Sequence, residues 1–185
     1  GVVAEKLGDP TARLAGRLTL NPLRHLDPFG SFLFPVSLYI LSGGTFVLGW
    51  AKPVPYDPRF LKNPRLAAGQ IAAAGPLSNF LLAVVFGLIM RALPAMGFAV
   101  SSPFYVLLSF IVYINIMLGV FNLLPLPPLD GAKVLYVFLP KTEAGYAVMR
   151  FLETYGLFMF LLLFFFGFSF ILPIIRLLYA VIAGG

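Results

Sequence analysis

The 185-residue sequence contains no cysteine. Disulfides, thiolate nucleophiles and cysteine-ligated metals are therefore excluded. Histidine is nearly as scarce: His25 stands alone, so no Ser/His pair is present and no evident zinc-ligand set. Charge is scarce as well. The 13 Lys+Arg and 7 Asp+Glu make up 11% of the chain, against about 25% in an ordinary soluble domain. A water-soluble globule needs more polar surface than this to cover its core. Soluble enzymes, nucleic-acid-binding domains and disordered tails are excluded on that ground. No Gly-rich phosphate loop, tandem repeat or Gly/Ser linker occurs. The opening Gly1-Val2-Val3-Ala4-Glu5-Lys6 has neither an initiator Met nor a basic segment before an apolar run, so it does not read as a signal peptide. We expect it to be the interior of a longer protein.

What is abundant is apolar. Hydrophobic residues make up 60% of the chain and 20 residues are Phe. Four long apolar stretches cover 31–50, 66–90, 104–129 and 155–182. Each meets the ~20 residues needed to cross hydrocarbon. Helices are the default there, because backbone polar groups cannot stay unpaired in lipid. The fold class expected is an all-α integral membrane protein, a polytopic helix bundle forming a single membrane domain over 1–185.

The net charge of +6 lies in short segments between the apolar runs, where a positive-inside bias places it, and not in a nucleic-acid surface. If all four stretches crossed, the two sides would hold six and seven positive charges. If 31–50 enters and returns, they hold eleven and two. The bias favours the second arrangement. Pro35 and Gly43-Gly44 suit a turn within that stretch, so a hairpin or re-entrant element is expected, with a single spanning helix as the alternative. Residues 13–20 partly alternate polar and apolar, as a short strand does. Residues 49–55, Gly-Trp-Ala-Lys-Pro-Val-Pro, read as extended. These two segments are expected to pair as membrane-associated strands.

Asp130 is the most informative position. It ends Phe121-Asn122-Leu123-Leu124-Pro125-Leu126-Pro127-Pro128-Leu129-Asp130-Gly131. A carboxylate there costs several kcal/mol if unpaired at membrane depth, so it binds a metal, meets a cation or reaches water. The prolines break the preceding helix, and Gly131 permits an unusual backbone conformation. An exposed acid that merely caps the next helix is the plain alternative. Asn115 and Asn122 lie seven residues apart on one helix face, and Asn79 follows Gly75-Pro76. Such amides either bond a neighbouring helix or form an interior polar cluster that holds a peptide or a metal-bound oxygen. His25, in the polar run 23–28, reads as structural or interfacial.

Taken together, Gly8-Asp9-Pro10-Thr11, Gly16-Arg17-Leu18-Thr19-Leu20-Asn21-Pro22, His25-Leu26-Asp27-Pro28, 49–55, Ala74-Gly75-Pro76-Leu77-Ser78-Asn79 and 121–131 resemble the site-2 protease family of intramembrane zinc metalloproteases. The nearest likeness is to the compact prokaryotic branch without a PDZ domain, over about residues 1–135. The resemblance implies a Zn2+ held by two His of an HExxH helix and one distant Asp, with water in the fourth position. The HExxH Glu would be the general base. It implies Asp130 as the third metal ligand, and Asn79, Asn122 and Pro125 as residues that shape the site and contact unwound substrate. The segments around Leu18 and Val54 would add a substrate strand.

The sequence has no HExxH. In this branch the motif is commonly followed by a Gly and a Lys-Leu-Gly-Asp-Pro continuation like that of 1–10, so the second zinc His and the general-base Glu are expected upstream of Gly1. The implied function is hydrolysis of peptide bonds in transmembrane segments of membrane proteins, in a prokaryotic plasma membrane, with the given chain inactive alone. Partners would be a transmembrane peptide or membrane-protein substrate and the lipid bilayer, and no nucleic acid. Alternatives are a catalytically dead homologue that binds membrane proteins, or a small transporter using Asp130.

Overall fold

A computed structural model describes every residue except Leu20, Phe46, Leu48 and Gly185, and the backbone alone of Pro22. The chain forms two compact units, 1–67 and 68–185.

In the first unit, helices α1 (Val2–Lys6) and α2 (Thr11–Leu14) pack on each other around Ala4 and Ala12. Asp9 between them is fully buried. Its Oδ1 accepts from the Thr11 N–H at 2.9 Å and from the Thr11 hydroxyl, and its Oδ2 accepts from the Asp57 N–H at 2.7 Å. A buried carboxylate is tolerated when it is hydrogen-bonded in this way. Burial alone would raise its pKa, but the Thr11 and Asp57 hydrogen bonds outweigh burial and hold it below the ordinary carboxylate value.

A five-residue π turn, Phe29–Leu33, leads into α3 (Phe34–Leu41). The Asp27 carboxylate accepts from the N–H groups of Phe29 and Gly30 at 3.0 and 2.8 Å and so starts the turn. Gly43 and Gly44, with φ of 64° and 84°, end the helix and reverse the chain. The chain comes back beside its starting point. Trp50 N–H donates to Gly30 O at 2.9 Å, and Ser31 Oγ donates to Trp50 O at 2.9 Å. The Trp50 indole covers Gly30, where a Cβ would stand 2.3 Å from Nε1, and stacks 5.0 Å from the Phe34 ring.

No strand forms among the described residues, which corrects the expected strand pair. Residues 13 and 14 belong to α2, because the Asp9–Thr11 bonds start a helical turn there, and Gly16 turns the chain at φ 65°. Leu20 lies outside the described residues. Residues 49–55 form no regular element, and Trp50 and Lys52 bond Gly30 O and His25 O instead of the 13–20 segment. Pro53 and Pro55 lack the N–H groups that would continue a ladder.

The second unit is helical. α4 (Pro64–Ala92, its first turn in the first unit), α5 (Pro103–Asn122), α6 (Asp130–Phe138), α7 (Glu143–Leu162) and α8 (Phe168–Ala183) follow in order, with a π turn at Leu163–Gly167 joining the last two. Three spans, Pro64–Met96, Pro103–Asn122 and Glu143–Ala183, are long and apolar enough to cross a membrane. The core is two patches: Ala83, Val112, Ile116, Ile171 and Ile175, then Met90, Leu93, Leu108 and Ala183. Gly87 and Gly119 let Ile182 and Phe80 approach to distances a Cβ would forbid, the small-residue contact typical of membrane helices. Ser109 Oγ and Tyr179 Oη bond at 2.6 Å between α5 and α8. Large residues such as Phe110, Phe158 and Leu177 face outward, as lipid contact requires and water would not favour.

Candidate functional site

Asp130 opens α6 at the point where α5 has ended. α5 stops at Asn122, and 123–129 carries the chain through Pro125, Pro127 and Pro128 without regular helix. Asp130 is the first helical residue, after Leu129 with φ −74° and ψ 157°. The N-cap position itself is held by Leu129, which has no side-chain cap bond. The carboxylate is 38% exposed and has Lys133 Nζ at 3.8 Å. Partial burial pushes its pKa above the ordinary value, and the Lys133 charge only partly offsets this.

Two glycines shape its surroundings. Gly131 is not among the glycines with positive φ. Its value is space: a Cβ would stand 2.3 Å from both Leu123 O and Leu124 O. The start of α6 is thereby pressed against the last carbonyls of the α5 end. Gly75 of α4 faces the carboxylate, with its Cβ position 3.5 Å from Asp130 Oδ2. About two helical turns from that contact, Gly69 meets Val137, with a Cβ position 2.3 Å from Val137 Cγ2, so α4 and α6 run in close contact. The Gly75-Pro76 pair carries a recognisable motif, but only its position against Asp130 reveals what the missing side chain is for.

The other sequence candidates have separate environments. Asn122 Nδ2 donates to Leu118 O at 2.9 Å and Asn115 Nδ2 to Ile111 O at 2.8 Å, each within α5. Neither amide bonds a neighbouring helix through that nitrogen. Asn79 is half-buried, one turn after Gly75, and makes no side-chain hydrogen bond to a described residue. Pro125 is exposed in the break. His25 belongs to the first unit, where its Nε2 lies 2.9 Å from Thr19 O, in keeping with a structural role.

Among the described residues, no three or more His, Cys, Asp or Glu side chains come together to hold a metal. A catalytic zinc needs three protein ligands. Asp130 fits as one oxygen ligand, and the neighbours described around it supply no second. The described residues do not make a zinc site by themselves.

The family model "Peptidase family M50" matches residues 95–167, from the end of the first span to the second π turn. The "Putative zinc metalloprotease YwhC" of Bacillus subtilis is 43% identical over 166 residues, 88% of this chain and 71% of that protein. The "Putative zinc metalloprotease Rip2" of Mycolicibacterium smegmatis is 32% identical over 148 residues, 78% of this chain and 53% of its own length. The "Zinc metalloprotease MJ0392" of Methanocaldococcus jannaschii is 34% identical over 85 residues, 46% of this chain and 23% of that protein. No solved structure matches the chain. Three membrane-length helices, an acid placed at a proline-broken helix junction and a relative this similar over most of both chains lead to one assignment: the chain belongs to peptidase family M50, the site-2 protease family of zinc metalloproteases.

Proposed function

We propose that the chain forms the body of an intramembrane zinc metalloprotease that hydrolyses peptide bonds in transmembrane segments of membrane proteins. The observation that carries this reading is the setting of Asp130, half-exposed at the start of α6 and fixed between the Gly131–α5 contact and Gly75. Asp130 serves as one zinc ligand. Asn79, Asn122 and Pro125 border the space an unwound substrate would occupy. A substrate helix has to unwind, because its carbonyls are committed to internal hydrogen bonds, and the non-helical 123–129 segment offers backbone groups to a strand. The 31–50 stretch enters the membrane and returns, and the membrane is a prokaryotic plasma membrane.

The sequence holds one histidine and no His-Glu-x-x-His. It therefore lacks the general base and two of the three ligands that the family reading requires, and we expect no hydrolysis by these residues alone. A second reading is a catalytically dead relative that binds membrane proteins.

One experiment separates them. The chain is placed in vesicles alone and joined, ahead of Gly1, to a segment bearing His-Glu-x-x-His; zinc content and cleavage of a transmembrane peptide are measured. The chain alone should retain little zinc and cleave nothing. The joined form should bind zinc stoichiometrically and cleave, and Asp130→Ala should abolish both. Stoichiometric zinc on the chain alone would contradict the incomplete site. Zinc without cleavage in the joined form would favour the dead relative.

A further inference from the structure

An apolar cavity of about 520 Å³ is lined in part by Leu129, the residue before Asp130. Its walls are the last turns of α5 (Met117, Phe121, Asn122), Leu129 of the proline break, and Phe164 and Phe168 from the second π turn and the start of α8. We propose that this cavity is the specificity pocket of the enzyme, seating a bulky apolar side chain of the unwound transmembrane substrate. The proposal rests on the reading of Asp130 as the reaction centre and adds the substrate class.

Three features argue for a peptide side chain as the occupant. Leu129 lines the cavity and directly precedes Asp130, so the cavity and the proposed reaction centre share the same stretch of chain. The size lies within the ~300–1,000 Å³ of small-ligand sites, ample for an aromatic or branched side chain. The lining also has one polar group at the proper place. Asn122 spends its amide N–H on Leu118 O, while its Oδ1 meets no donor among the described residues. An unwound peptide in lipid brings backbone N–H groups that must find an acceptor; a lipid acyl chain brings none. The π turn contributes the aromatic wall. It holds one residue more per turn than an α-helix, and both Phe164 and Phe168 reach the cavity from it.

The test uses binding and needs no catalysis. The chain is placed in phosphatidylcholine vesicles with a synthetic transmembrane peptide carrying one benzoylphenylalanine at its centre. Photolysis should attach the probe to Met117, Phe164 or Phe168. A competing peptide with Phe at that position should displace it about tenfold better than one with Ala, the order of discrimination a few methylenes give. Met117→Trp should fill the space and erase or reverse that preference. Phe168→Ala, which only removes bulk, should shift it toward Trp. Phe110→Ala, on the outward face of α5, should change nothing. Equal displacement by Phe and Ala peptides would overturn the proposal. So would labelling of the same residues by a photoactivatable acyl chain that excess Phe peptide fails to displace. Discrimination without cleavage in the joined form would remove the protease reading and leave the pocket; cleavage without discrimination would do the reverse.

Discussion

A Cβ at residue 131 would collide with two backbone carbonyls, while one at residue 75 would only touch a carboxylate oxygen. The two positions should therefore answer differently to alanine. Gly131→Ala forces α6 away from the α5 end and should cost about 1–3 kcal/mol or more, seen as a lower thermal midpoint in detergent. Gly75→Ala should leave that midpoint unchanged and instead weaken zinc retention in the HExxH-joined form, because the methyl group crowds Asp130. Asp9 gives a pH dependence. Its folded pKa is lowered, so its stabilisation is complete above the unfolded value near 3.8 and is lost as pH falls through the folded one. The midpoint should thus decline below about pH 4. Asp9→Asn should cost about 1.5–3 kcal/mol at neutral pH, from losing charged hydrogen bonds, and should flatten the acid limb. Asp130 was legible in the sequence because a carboxylate closing a proline-broken apolar run has few places to go. Asp9 was not. Its neighbours spell a surface turn, and its main distant partner, the Asp57 N–H, lies 48 residues away.

The helices α4, α5 and α8 follow from apolar length, and the end of α5 from its prolines. Local pattern misled at 13–20, where a partial alternation suggested a strand but two hydrogen bonds from Thr11 to Asp9 began a helix upstream. The second π turn left no trace in sequence, since 163–167 is as apolar as its flanks. Its effect is to absorb one extra residue between two regular helices. Deleting the outward-facing Phe166 would return the turn to α geometry and leave later residues on nearly the same face. Ile171 and Ile175 would stay in the core they share with Ala83, Val112 and Ile116. The deletion should therefore cost less than the ~2–5 kcal/mol of a buried Leu-to-Ala truncation, and Phe166→Ala should be nearly neutral. Thermal unfolding of the two variants side by side checks this.

At the scale of the whole chain, three helices are long and apolar enough to cross a membrane, and the proposed return of 31–50 would put most of the positive charge on one side of a bilayer, in line with the bias that sorts membrane loops. Single cysteines at Arg24 and Lys62, in a chain that has none of its own, should react with an impermeant reagent from the same face of sealed vesicles; opposite faces would make 31–50 a full crossing. The hairpin has a further consequence. Among the described residues its foot is closed by Asp57 N–H to Asp9, Lys52 N–H to His25 O, Trp50 N–H to Gly30 O and Ser31 Oγ to Trp50 O. None of them involves the reversal at Gly43-Gly44. The entropy of closing such a loop grows only as the logarithm of its length, about 0.6 kcal/mol per doubling. The tip can therefore be lengthened or trimmed over many generations while the foot holds its register, which makes the depth reached by this excursion a dimension that selection can match to the thickness of the host bilayer.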